Sequence, residues 1–399
     1  MSKPTTEVGE ERAQTGETFG VPWPDLNDGL TYTDTVRPSN AASTMIEFYS
    51  TKYKNSAPLQ GWLQRIRNGQ ITVDGEVVKD PHTILRAGSE LMYHRLPWKE
   101  PDAPYLLEIL YEDDDLVAFN KPSGLQVLPG GLFQQRTVLT QLQWRECQGI
   151  STSLGLSTNP GAQQQHPVPV HRLGRGTSGI LLCAKSKLAK SRLAAYFAEG
   201  TSVVGDNRKS NMDLGGVRRI SKVYRALASG IIDKDEVIIK QPIGIMRYQG
   251  VANGLYVASS SVGKPALSKV DVLERDIPGN CTLVQVEIQS GRPHQIRIHL
   301  SFIGHPLLGD PLYVTGGHPK CFNSESGEND FAQDGGYQRP INPVPGDCGY
   351  YLHAHHLVLH HPTMKKVIEI IAPLPHVLQT QKEASQEHCA QITGVASVS

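Results

Sequence analysis

The sequence predicts an α+β fold, and three observations lead to it. Two β-prone pairs flank tight turns, at Ile71–Val78 and Leu107–Phe119. Helical spacings of apolar residues recur between them and beyond, at 45–49, 59–66, 138–142, 188–197 and 296–303. Further apolar runs at 170–182, 221–227 and 284–288 each lead into or out of a glycine- or proline-bearing loop. Period-2 runs with turn chemistry and period-3.6 runs with stops argue for sheet packed against helices.

The elements follow in chain order. Residues 1–40 are polar, carry Pro22, Pro24 and Pro38, and show no sustained periodicity, so they are expected to be an irregular arm. Residues 44–96 are expected to form a small domain. Met45, Phe48 and Tyr49 suit one helix, and Leu59, Trp62, Leu63 and Ile66 a second that ends at Asn68-Gly69. Ile71–Val73, the Asp74-Gly75 turn and Val77-Val78 make a hairpin, and Leu91–Tyr93 a further strand. Three prolines within Pro97–Pro104 mark a linker into the main domain, expected over 105–375.

That domain opens with a hairpin, Leu107–Tyr111 and Leu116–Phe119, around the acidic turn Glu112–Asp115. With no partner cluster nearby, the turn reads as solvated rather than as a metal site. Lys121-Pro122-Ser123-Gly124 is a tight turn at the lip of the sheet, and Val138–Leu142 belongs to a helix. Thr152–Pro167 is a polar loop. Leu188, Leu193, Tyr196 and Phe197 form a helix stopped by Gly200. Residues 200–220 are a basic insertion, and 314–351, rich in Gly, Asn, Ser and Pro, an insertion or lid. Residues 376–399 are a tail.

Composition excludes several classes. Lys+Arg and Asp+Glu are each 39, so net charge is +0 and no global basic field advertises nucleic-acid binding. Local clusters such as Arg218, Arg219, Lys222 and Arg225 must carry any such role. Six scattered cysteines without a Cys-x-x-Cys pair suit reduced thiols, and the acidic N-terminus disfavours an organellar leader; a cytoplasmic or nuclear protein is expected. No apolar run approaches the roughly 20 residues of a membrane helix. The glycine pairs match no phosphate loop or dinucleotide fingerprint. His353, His355, His356, His360 and His361 lack a nearby cysteine or a third ligand, so no metal is expected.

Two segments concentrate chemistry. Val170-His171-Arg172-Leu173-Gly174-Arg175-Gly176-Thr177-Ser178-Gly179-Ile180 reads as strand, tight loop, strand, which pushes polar groups to where a ligand meets them. Gln289-Ser290-Gly291-Arg292-Pro293-His294-Gln295-Ile296-Arg297-Ile298-His299-Leu300 follows a strand and starts a helix that ends at Gly304. His294, Arg297 and Ser301 share one helix face beside a positively charged N-terminus.

These segments, with Lys121-Pro122-Ser123-Gly124, Lys222-Val223-Tyr224, Gly304–Tyr313 and Leu352–Leu357, occur in the order found in RNA pseudouridine synthases of the ribosomal large-subunit synthase A type. The chain resembles that family over about 105–375, and residues 44–96 resemble, in pattern, the small RNA-binding domain of a ribosomal small-subunit protein. The resemblance implies a central mixed, mainly antiparallel sheet flanked by helices. It implies an isomerase that turns uridine in RNA into its C-glycoside, without metal or cofactor, on a flipped-out base. By motif position, Arg172 is expected to fill the gap left by the base, Tyr224 to pack on the uracil and help remove its C5 proton, and Arg297 to hold the catalytic aspartate. Arg292, His294, Lys121, Arg65 and Arg67 are expected to contact RNA, the partner, whether ribosomal, transfer or messenger. No membrane partner is expected, and the acting species is taken as a monomer.

One position departs from the family. The residue after His171-Arg172-Leu173, an aspartate in these enzymes, is Gly174, and no carboxylate lies between His171 and Lys185. Glycine has no side chain to act as nucleophile or base. Three explanations follow: a silent RNA-binding or RNA-remodelling protein, a carboxylate entering from elsewhere with Asp310 or the acidic turn as candidates, or a variant form of an active parent.

Overall fold

The computed structural model describes residues 16–153, 166–202, 220–248, 251–320, 331–340 and 347–386. Strand β1 (Thr18–Phe19) precedes a small unit made of β2 (Leu30–Thr35), α1 (Met45–Lys52), α2 (Leu59–Arg67), β3 (Ile71–Val73), β4 (Glu76–Val77) and β5 (Glu90–Arg95). The large unit continues through β6 (Leu107–Glu112), β7 (Leu116–Lys121), α3 (Val138–Ser153), β8 (Val168–Pro169), β9 (Ser178–Ala184), α4 (Lys187–Ser202) and β10 (Ile220–Ser229). Then come β11 (Glu236–Ile239), β12 (Ile243–Tyr248), β13 (Val251–Ala258), β14 (Ser268–Asp276), β15 (Cys281–Ile288) and α5 (Gln295–Phe302). Short hairpins β16 (Tyr313–Thr315) with β17 (His318–Pro319), and β18 (Phe331–Gln333) with β19 (Gln338–Pro340), lead to β20 (Leu352–His360) and β21 (Val367–Ile371).

The fold is α+β. The large sheet has the order β1-β6-β7-β9-β20-β10-β15-β14-β11, with β21 pairing β20 and β8 pairing β9. Only β9–β20 is parallel; the other pairings are antiparallel, so the sheet is mixed and mainly antiparallel as expected. Gly179, Ala354, Tyr224 and Val286 form one row across its four central strands. At Gly179 the row needs a glycine: φ is +97°, and a Cβ there would lie 2.3 Å from the carbonyl oxygen of Ala354. The main core packs on this sheet from Leu107 to Ala372 and includes Tyr224, Tyr350 and Leu173.

The small unit has its own core around Met45, Tyr49, Trp62, Ile66 and Tyr93. Its helix start is set by a capping box in which Thr44 and Glu47 exchange side-chain to backbone bonds. Asp74 and Gly75 both have positive φ, as a two-residue hairpin turn of this hand requires.

Several expectations need correction. Residues 1–40 are not irregular throughout: Thr18–Phe19 pairs with β6, and Leu30–Thr35 pairs with β5. Polar alternation hid these edge strands, whose stabilisation comes from backbone ladders and from tertiary contacts such as the Trp23–Trp144 ring pair. The proline-rich stretch is not a free linker. Trp98 is buried under the Arg95 guanidinium, and buried Glu100 accepts backbone N–H groups of Gln134, Gln135 and Arg136. The C-terminal segment is docked as far as it is described, since Glu383 pairs with buried Arg225. Helix α4 runs two residues past Gly200. Most of the 200–220 insertion lies outside the described residues.

The 314–351 segment is also no free lid. Its β18–β19 hairpin places Asp334 against Arg65 and Arg95, and Tyr337 in the small core. Asp334 and Arg65 are fully buried. Removing one partner from such a cluster leaves buried charge uncompensated, so Asp334→Ala is expected to cost about 3–5 kcal/mol. Denaturant unfolding followed by tryptophan fluorescence checks this; a midpoint within error of the parent would show that the hairpin does not tie the small unit down.

Candidate active site

Helix α5 places Arg297 at the centre of a charged cluster. The helix is buried from Gln295 to Ser301, and its residue before the first turn, His294, adopts left-handed backbone with φ of 56°. Arg297 donates from Nε to Asp310 Oδ2 at 2.7 Å and from Nη2 to Asp310 Oδ1 at 2.8 Å. Its third nitrogen, Nη1, donates to Asp347 Oδ1 at 2.6 Å. The guanidinium carbon lies 4.2 Å from the Tyr350 ring centre and 5.1 Å from that of Tyr313. Burial alone would depress the Arg297 pKa, but its donation to Asp310 and the nearby Tyr350 and Asp347 hold it above its ordinary value.

The loop that carries His171–Gly179, the signature loop of the resemblance, closes on this cluster. An ideal Cβ on Gly174 would lie 2.9 Å from the Tyr350 hydroxyl and 3.4 Å from Thr177 Oγ1. Gly176 N–H donates to the carbonyl of Asp347 at 3.0 Å, and a Cβ on Gly176 would lie 2.6 Å from that oxygen. The two glycines thus let segment 347–350 pack directly onto the loop. The Lys121 turn braces the loop from the other side: Gly124 N–H donates to the Arg175 carbonyl, and Ser123 Oγ to that of Gly176.

Tyr224 lies in a neighbouring cavity of about 10 Å³, enough for one water. His171, Ile180, Lys222, Ala354 and His356 share its lining. Burial raises the Tyr224 pKa to about 12 and lowers that of Lys222 to about 8. His171, three residues before Gly174, faces this cavity, so one loop reaches from Tyr224 at its start to the Arg297 cluster at its end.

The sequence-predicted residues therefore separate into groups. Arg297 and Gly174 are linked through Tyr350, which stacks on the one and faces the other, and Tyr224 sits at the other end of the same loop. Arg172 is exposed at its lip and Arg67 is exposed on the small unit. Arg292 is half-buried and donates from Nε to the Pro265 carbonyl. His294 binds Tyr313 through Nδ1 at 2.9 Å. Because the Tyr313 hydroxyl donates to the Tyr256 carbonyl, His294 Nδ1 carries the proton and donates.

Two expected RNA contacts are corrected. Lys121 is fully buried and its Nζ donates to the carbonyls of Pro122, Leu125 and Arg175, so it holds the turn together. Arg65 is fully buried between Trp62, Tyr93 and Asp334 and is not available to phosphate. A period-3.6 pattern does not distinguish an arginine at the solvent face from one drawn inward by a distant carboxylate.

The two carboxylates considered as stand-ins for residue 174 also separate. The acidic turn is engaged elsewhere: Glu112 with Arg145 and Lys185, Asp113 with Tyr111 and His361. Asp310 does reach Arg297, but it is fully buried and also accepts the N–H groups of Leu312 and Tyr313. Asp347, which sequence reasoning missed inside the presumed insertion, is the second carboxylate on Arg297. Of the histidines on β20, His353 meets Ser178 and His355 donates to the Ala372 carbonyl. Among the described residues no three or more His, Cys, Asp or Glu side chains converge as a metal site.

Burial lowers the pKa of His171 to about 3 and those of His294, His299 and His353 to about 4. Each folded value lies below the unfolded one, about 6.5. The unfolded chain then binds more protons between about 4 and 6.5, so stability is complete above that window and declines as pH falls through it. Guanidinium unfolding is expected to show a lower midpoint at pH 5 than at pH 7, and a His299→Gln variant a smaller drop. Identical midpoints at both pH values would contradict this.

The model of the RNA pseudouridylate synthase family matches residues 115–302 of the chain, which span both the signature loop and α5. A protein named RNA pseudouridine synthase 5 from Arabidopsis thaliana is 66% identical, over 92% of this chain and 98% of its own length. Its namesake from Oryza sativa subsp. japonica is 62% identical over 94% of each chain. An uncharacterized RNA pseudouridine synthase from Synechocystis is 38% identical over 84% of this chain and 96% of its own.

Proposed function

The chain belongs to the RNA pseudouridine synthase family, in its ribosomal large-subunit synthase A branch, and on that premise we propose how its residues carry out the isomerisation of uridine to pseudouridine in RNA. The observation that carries the reading is the meeting of the signature loop with Arg297 and its carboxylates at one point of the sheet. A stacked base cannot be cut, turned and rejoined in place, so the uridine is flipped into the protein.

Arg172, exposed at the loop lip, is suited to take the place of the departed base, because a planar cation stacks on the neighbouring bases. Tyr224 remains a neutral phenol at physiological pH, so its role is to pack on the uracil and pass on the C5 proton rather than to stand as a phenolate. Arg292, with Arg172 and Arg67, supplies cationic contacts to the phosphate backbone. The RNA is ribosomal, transfer or messenger, the acting species is a monomer, and the scattered cysteines, without a Cys-x-x-Cys pair, are in keeping with a reducing cytoplasmic or nuclear site of action.

A silent RNA binder, the alternative raised by Gly174, is not favoured. The relatives that align along nearly the whole chain are named as synthases, and Arg297 has carboxylate partners without residue 174.

The purified protein, incubated with total cellular RNA, is expected to form pseudouridine at discrete positions detectable by chemical mapping. Tyr224→Phe is expected to lower the rate by about 100-fold or more, in the range of a lost proton-transfer group. RNA affinity is expected to fall as salt rises, since phosphate contacts release counterions. No product from the wild-type protein, or product unaffected by Tyr224→Phe, would overturn this assignment.

A further inference from the structure

Gly174 leaves the signature loop without a carboxylate, yet the point where that loop meets Arg297 does not lack one. Of the two carboxylates on Arg297, Asp310 is fully buried and spends both oxygens inside the protein, on Arg297 and on two backbone N–H groups. Asp347 is different. Its side chain is 39% exposed, and Arg297 Nη1 holds Oδ1 at 2.6 Å. Its backbone is seated against the loop by the Gly176 N–H bond. Tyr350, three residues on, fills the space that a side chain at residue 174 would enter.

We propose that Asp347 is the catalytic carboxylate of this chain, delivered to the site by the segment before β20 in place of a side chain at residue 174. The proposal rests on the synthase reading given above. Arg297 Nη1 holds and aims the carboxylate through its 2.6 Å bond to Oδ1. An Asp347 oxygen bonds to ribose C1′ while the C1′–N1 bond breaks and its electron pair leaves with the uracil. The uracil turns, its C5 bonds to C1′, and the carboxylate is released. The proton lost from C5 is balanced by the proton gained at N1, so no oxidant, reductant or co-reactant enters. The glycines serve the same arrangement, because a Cβ at residue 176 would collide with the Asp347 carbonyl.

The test uses the full chain, total cellular RNA as substrate, and quantitative pseudouridine mapping at the positions the wild type modifies. Asp347→Asn keeps an acceptor for Arg297 and so is the variant least prone to unfold; Asp347→Glu keeps the charge. Asp347→Asn is expected to lose at least about 100-fold in kcat, as removal of a reacting group does, with KM little changed. Its RNA affinity and melting midpoint are expected to match the wild type, and Asp347→Glu is expected to exceed Asp347→Asn in rate. Wild-type turnover that persists in Asp347→Asn, or a loss confined to KM, overturns the assignment of Asp347 while leaving the synthase reading intact. Absence of product from the wild type overturns both.

Discussion

The buried guanidinium of Arg297 is the constraint around which the site is organised. A cation at this depth is tolerated only when its donors are satisfied, and three acidic contacts and two aromatic faces do that. The partners come from two parts of the chain: Asp310 and Tyr313 follow α5, while Asp347 and Tyr350 precede β20. Satisfying one arginine therefore brings the end of the 314–351 segment onto the signature loop. Conversely, losing the guanidinium would leave Asp310 buried without its cation.

The same principle governs the attachment of the small unit. Arg65 and Arg95 converge on Asp334, and Arg65 lies over Trp62, Tyr93 and Tyr337. A hairpin from the large unit thus enters the core of the small one through charge pairing supported by aromatic contact. This helps explain why the small unit carries a buried arginine on the helix whose sequence pattern suggested an RNA face. The positions left exposed for phosphate are fewer than the sequence suggested, Arg67 and Arg172 among them.

Legibility of the sequence followed the range of the interactions. Hairpins at 71–78 and 107–119, the helices at 45, 59 and 295, and the strand at 220 were readable because turn chemistry and apolar period are local signals. Arg297 was readable as a candidate because its motif has a fixed spacing. What was not readable depends on distant partners. Strands at Thr18–Phe19 and Leu30–Thr35 exist through pairing with β6 and β5 rather than through their own propensity. Lys121 and Arg65 carry charges that normally mark a surface, and burial of such groups is decided by carbonyls and carboxylates far along the chain. Asp347 sits in a polar, glycine- and proline-rich stretch with no periodicity, so nothing local marked it. The one available hint was indirect: a motif arginine that needed a carboxylate the motif no longer supplied.

That hint bears on how Gly174 should be understood. A glycine in place of an acid is an unambiguous loss only if the rest of the site stays where it was. Here the space beside residue 174 is taken by the Tyr350 hydroxyl, 2.9 Å from where a Cβ would lie. An aspartate at 174 would have to displace Tyr350, which also stacks on Arg297 and bonds Thr177. The glycine in the loop and the seat of the 347–350 segment on it therefore fit one another, since a side chain at residue 174 would require Tyr350 to shift. A site built in this way keeps a part-exposed carboxylate, that of Asp347, on the buried arginine although the loop itself offers none.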